Sequence, residues 1–144
     1  MTRYKSPYAM LPPVLNVQLE SGMDIMIARN TARRAASLLG FAPARQAQLA
    51  SVAATLGELV LKTGATHTMN FNGVSNGDKT GVQLSMETPW LAGVAVGNVM
   101  IALRSKLGDL IDEILLEGDD DIPTIVTVMW RNEHENANAH NEQS

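Results

Sequence analysis

Few side chains in this sequence are equipped for chemistry, and their spacing rules most of it out. His67, His134 and His140 are the only histidines. Glu133-His134-Glu135 and His140 offer metal-ligand types, but they fall in a polar tail without the supporting shell a metal site needs, so they read as solvated side chains. His67 falls in a predicted strand and reads as a surface or edge residue rather than a catalytic base. A calcium loop places oxygen ligands at alternate positions over about twelve residues. Asp119-Asp120-Asp121 is too short for that and runs into Ile122-Pro123, so it reads as a solvated turn. Ser37, Ser51, Ser85 and Ser105 have no recognisable His–Asp partners, and no nucleophilic triad follows. Thr55 and Leu59 stand one turn apart on a predicted helix, as do Glu58 and Lys62, so each pair shares a helix face. Neither suits Mg²⁺, which takes hard oxygen ligands: leucine has none, and lysine opposes the metal with its own charge.

The elements that would position these groups follow from periodicity. Residues 1–12 read as an irregular arm, and Val14, Leu15, Val17 and Leu19 as a short strand. A helix begins near Asp24, whose carboxylate suits the positive end of the helix dipole. Its stripe of Ile25, Ala28, Ala32, Ala35, Ala36 and Leu39 is rich in small residues, and Gly40 stops it. Pro43 opens a second helix, whose apolar face is Leu49, Val52, Ala53, Leu56 and Val60 and which Gly64 ends. Two strands, Thr66–Asn72 and Gly81–Glu87, flank a Gly/Asn/Asp-rich connection that favours a hairpin. After Pro89-Trp90 comes a helix with Val96, Val99, Met100, Leu103, Leu107 and Leu110 on one side. Strands at Ile111–Glu117 and Thr124–Arg131 complete the order, and the polar tail from Asn132 to Ser144 is expected to be disordered. Two connections are too short for crossovers, so the sheet is expected to be mixed and mostly antiparallel. The predicted class is α+β, a two-layer α/β sandwich with helices on one face, in a single domain over residues 13–131.

Composition narrows the function classes. The chain has 144 residues, 45% hydrophobic and 18% charged, which allows one ordinary globular core. With no cysteine it has neither disulfides nor thiolate metal sites, which fits a reducing cytoplasm. The net charge is −4 and the cations are scattered apart from Arg33-Arg34, so there is no basic footprint for nucleic acid. Pro12 and Pro13 interrupt the segment where a signal peptide would need its apolar run. The apolar stretch Trp90–Leu103 falls short of the ~20 residues that span a bilayer. Six of the methionines (Met23, Met26, Met69, Met86, Met100 and Met129) lie on predicted elements and read as core filler.

The run Asp24-Ile25-Met26-Ile27-Ala28-Arg29, followed by Arg33, Leu39-Gly40-Phe41 and Gln46-Ala47, resembles the RsbT-type switch kinases and anti-sigma factors of the GHKL, or histidine-kinase-like, ATPase superfamily. The resemblance implies the Bergerat fold, in agreement with the sandwich reached from periodicity. It also implies three nucleotide-binding elements. The family's helix segment Ser-Glu-Leu-Ala-Arg-Asn supplies a catalytic Glu and a Mg²⁺-binding Asn; Thr55 and Leu59 hold those positions here. Its adenine turn, Asp-x-Gly-x-Gly, corresponds to Glu87-Thr88-Pro89-Trp90-Leu91, where Pro89 and Leu91 replace the glycines. Its lid with a Gly-Leu-Gly-x-Gly phosphate cradle has no counterpart of matching length. Gly93 and Gly97 read instead as permitting close helix packing.

By this resemblance the chain is expected to be a degenerate, non-catalytic switch-kinase-like module with no cofactor and no metal, acting in a bacterial partner-switching stress response. The implied partners are a STAS-domain antagonist, a PP2C-type phosphatase or a sigma factor. Arg29 and Arg33 on the first helix are candidates for acidic partner groups, against the alternative that Arg29 makes an intramolecular salt bridge. Trp90 either plugs the pocket a nucleotide would take or anchors a partner. The alternatives are an atypical ATP-dependent protein serine kinase with displaced motifs and a homodimer joined through the face a lid would cover.

Overall fold

The computed structural model describes residues 7–118 and 122–132. Strand β1 (Ala9–Leu19) leads to helices α1 (Gly22–Leu38) and α2 (Pro43–Leu61) and then to a hairpin of β2 (His67–Ser75) and β3 (Thr80–Glu87). A single 3-10 turn (Pro89–Leu91) and helix α3 (Val96–Leu107) connect it to a second hairpin, β4 (Glu113–Gly118) and β5 (Pro123–Trp130). The strands form one sheet in the order β1-β2-β3-β5-β4, and every neighbouring pair is antiparallel. The protein is thus an α+β two-layer sandwich. The sheet is antiparallel rather than mixed because β5 inserts between β3 and β4. Those two run in the same direction but never pair.

Antiparallel alternation sends Met69 and Phe71 of β2, Val82, Leu84 and Met86 of β3, and Ile125 and Met129 of β5 into the helix-covered core. The helices meet it with Ala28, Ala32, Ala35 and Ala36 of α1, with Leu49, Val52, Ala53, Leu56 and Val60 of α2, and with Val99, Leu103 and Leu107 of α3. Small residues let α1 and α2 approach closely. A Cβ at Gly57 would already stand 3.3 Å from Ile25 Cγ1. Asp24 begins α1 by accepting the backbone N–H groups of Glu20 and Ser21, at 2.8 and 3.0 Å. Those bonds hold its carboxyl below the usual carboxylate range. Gly40 ends α1 with φ of +84°, so that Gly40 N–H reaches Ser37 O and Phe41 N–H reaches Ala36 O.

Several expectations change. β1 begins at Ala9, inside the stretch read as an irregular arm. Pro12 and Pro13 are tolerated because β1 is an edge strand whose register against β2 shifts between Leu11 and Val14. Val96 opens α3 but is 59% exposed, and Leu110 lies beyond the helix end. Met69, Met86 and Met129 are core filler as read, whereas Met23 and Met26 are exposed, since the core face of α1 is already closed by alanines. The sheet face opposite the helices is also covered in part. Val74, Val126, Val128 and Trp130 pack there with Tyr8 and Leu115. Tyr8 Oη and Trp130 Nε1 both donate to the Glu113 carboxylate. The Asp119–Asp121 turn, the Glu133-His134-Glu135 and His140 cluster, and all of the polar tail beyond Asn132 lie outside the described residues, as do residues 1–6.

Candidate functional site

One cavity of about 300 Å³ opens where α2, the 3-10 turn and α3 meet over the ends of β3 and β5. Helical spacing turns Leu56, Leu59 and Val60 of α2 toward it. Met86 and Ile125, paired across β3 and β5, form its floor. Trp90 and Leu91 come from the 3-10 turn and Val94 from the loop after it. Along α3, Asn98, Ala102 and Lys106 follow one another at one-turn intervals, with Val99 and Leu103 beside them. Asn98, Lys106 and the indole of Trp90 bring polar groups to a wall that is otherwise hydrocarbon and the thioether of Met86.

Thr88 holds the turn in place. It is fully buried, and both its N–H, at 2.6 Å, and its hydroxyl, at 2.8 Å, donate to Pro123 O at the start of β5. Trp90 therefore stands as a wall of the cavity rather than a plug. Its ring meets His67 edge-on at 4.8 Å between centroids, and it remains 37% exposed. His67 is buried on the core side of β2 under Trp90 and Thr63, and β2 lies inside the sheet between β1 and β3, so it is neither a surface nor an edge residue. Thr63 Oγ1 donates its proton to Val60 O, so His67 Nε2, 2.9 Å away, must donate to Thr63. Burial lowers the His67 pKa and favours the neutral imidazole.

The structure brings some of the sequence-predicted positions together and separates others. Leu59, Trp90 and Leu91 line the cavity. Thr55 is half-buried on α2 but is not part of the wall. Glu87 and Pro89 face a neighbouring depression with His67 and Asn70. Arg29 and Arg33 are exposed on α1, away from the cavity, and among the described residues neither has the ion-pair partner weighed for Arg29. Gly93 and Gly97 do not serve close packing, since a Cβ at either would meet nothing within 4 Å. Gly93 instead supplies a φ of +82° in the loop that leads into α3.

Sequence reasoning missed Thr88, Asn98 and Lys106. The last two were readable as polar residues two turns apart on one line of α3, whereas Thr88 gains its meaning from Pro123, which is remote in sequence. Among the described residues no group of three His, Cys, Asp or Glu side chains is placed to hold a metal ion. No helix among them is long and apolar enough to cross a membrane. The cavity wall holds no carboxylate, imidazole or hydroxyl, and Lys106 is its one titratable side chain. No protein-family model matches the chain, and no curated protein matches it.

Proposed function

We propose that this protein is a non-catalytic protein-binding module, a degenerate relative of the RsbT-like switch kinases and anti-sigma factors, working in the bacterial cytoplasm. The carrying observation is the wall of the cavity. Leu59 and Leu91 occupy positions that the resemblance gives to a magnesium ligand and an adenine-turn glycine, and both present hydrocarbon to the same space. A triphosphate with its metal needs converging oxygen ligands and amide donors. Leucines offer neither, and their desolvation of the charged group would be uncompensated.

Partner binding falls to α1 in this reading. Met23, Met26 and Ile27 are 81%, 69% and 52% exposed, and Arg29, Arg33 and Arg34 follow on the outward arc of the same helix. An apolar cluster flanked by arginines suits a partner with an apolar anchor and acidic rim. A STAS-domain antagonist, a PP2C-type phosphatase or a sigma factor is the kind of partner implied. Titration with a fluorescent ATP analogue and Mg²⁺ tests the reading, and no saturable binding is expected. Saturation in the micromolar range would overturn it in favour of an ATP-dependent serine kinase. Binding to the three candidate partner classes is expected to weaken in Arg29→Glu/Arg33→Glu without a change in melting temperature.

A further inference from the structure

We infer that the cavity between α2, the 3-10 turn and α3 is a binding site for a small amphiphilic carboxylate, with its chain among the aliphatic side chains and its head at Lys106. The inference is independent of the partner surface on α1, and either can fail alone. Size is the first argument. At roughly 30 Å³ per water-sized unit, the cavity's 300 Å³ takes about ten non-hydrogen atoms. That is the lower end of the range for small-molecule pockets. A medium-chain acid of about eight carbons matches that volume.

The wall supplies the second argument. The buried side chains of Leu56, Val60, Met86, Leu103 and Ile125 close the base of the cavity, with Leu59 beside them, and leave it without hydrogen-bonding side chains. Water held there would lack the polar partners it needs, while a hydrocarbon chain would lose nothing. Charge is confined to the α3 side. Lys106 is the one charged side chain in the lining and carries a positive charge. The complementary ligand is therefore apolar at one end and anionic at the other. Entry is provided by the mouth between the 3-10 turn and α3, where Trp90 and Val94 are both part-exposed.

Isothermal titration of the full-length protein with a series of straight-chain carboxylates, and with octan-1-ol, tests this. Affinity should rise about fourfold for each added methylene and level off near eight to ten carbons, where the cavity is full. Lys106→Gln should weaken octanoate about threefold to fivefold, the effect of a solvent-exposed ion pair, and leave octan-1-ol unchanged. Ala102→Trp should abolish binding of both by filling the space. Val94→Trp, at a loop position outside the helix, serves the same purpose if the first variant does not fold. An absence of saturable octanoate binding would overturn the inference. So would chain-length independence, indifference to both tryptophan variants, or displacement of octanoate by magnesium ATP. Equal losses for octanoate and octan-1-ol in Lys106→Gln would overturn the assignment of the head to Lys106.

Discussion

Replacing Ala102 by leucine should stabilise this protein, the reverse of what the same change does at a closely packed alanine. Ala102 lies on the face of α3 that lines the cavity, so the added isopropyl group enters space rather than atoms. Complete burial would contribute ~2 kcal/mol at ~0.8 kcal/mol per methylene. Ala102 stands at the exposed rim, so about half of that group reaches the apolar interior, giving ~1 kcal/mol. The lower helix propensity of leucine removes only ~0.2 kcal/mol. Ala53 is the control. It is fully buried on α2, one turn before Gly57, which packs against Ile25 of α1. Leucine there should cost ~1–3 kcal/mol through overpacking. Urea unfolding measures both: Ala102→Leu should raise the midpoint by ~0.5 M with the slope unchanged, and Ala53→Leu should lower it. Destabilisation by Ala102→Leu equal to that of Ala53→Leu would mean that α3 packs against α2 and the cavity does not exist.

Three further outcomes follow from named contacts. Thr88→Val removes the hydroxyl donated to Pro123 O but keeps the side-chain shape, and should cost ~1 kcal/mol in thermal or urea unfolding and alter Trp90 fluorescence. Gly40→Ala forces a side chain into φ of +84° beside Arg131 Nη1, which a Cβ would approach to 3.0 Å, and should lower stability by ~1–2 kcal/mol. His67 is more readily deprotonated in the folded protein than in the unfolded chain. Its contribution is therefore intact above the unfolded pKa of 6.5 and lost as pH falls below that value. Melting temperature should drop between pH 7 and pH 5 in the native sequence and drop less in His67→Gln. The lowered pKa of Asp24 acts in a more acidic range, its contribution being present above the unfolded value of 3.8 and lost as pH falls through the folded one.

Much of the fold was legible because it rests on local patterns. The alanine stripe of α1, Gly40 as its stop, Pro43 as the opening of α2 and the polar turn between β2 and β3 each act within a few residues. What was not legible depends on partners remote in sequence. Pro12-Pro13 looked like a break in structure and is strand, because only the assembled sheet shows that β1 is an edge. His67 has the sequence surroundings of a surface residue, and its burial comes from Thr63 and from Trp90 folding back over it. The cluster of Tyr8, Glu113 and Trp130 on the outer face joins the beginning and end of the described chain, beyond the reach of any periodicity. Leu59 and Leu91 were singled out from sequence for what they lack, whereas the cavity they share is set by how far α3 stands from α2.

That separation has an identifiable cause in the way three helices cover five strands. Packed helices lie ~8–10 Å apart, with small residues at the contact favouring the shorter spacing. The alanines of α1 and Gly57 of α2 draw these two together over the β1–β2 side of the sheet. At the other edge α3 is anchored on β4, with Leu103 and Leu107 directed into the core. Beside both helices the turn at Pro89–Leu91, which Thr88 ties to the start of β5, adds Trp90 and Leu91 to the cavity wall. Met86 and Ile125, themselves almost fully buried, close the floor beneath. The cavity then results from two firm attachments rather than from loose packing. A substitution that weakens either, such as Thr88→Val, should shrink it by letting α3 settle toward α2, so that octanoate affinity and stability fall together. Loss of stability with undiminished octanoate affinity would show that the turn does not hold the helices apart.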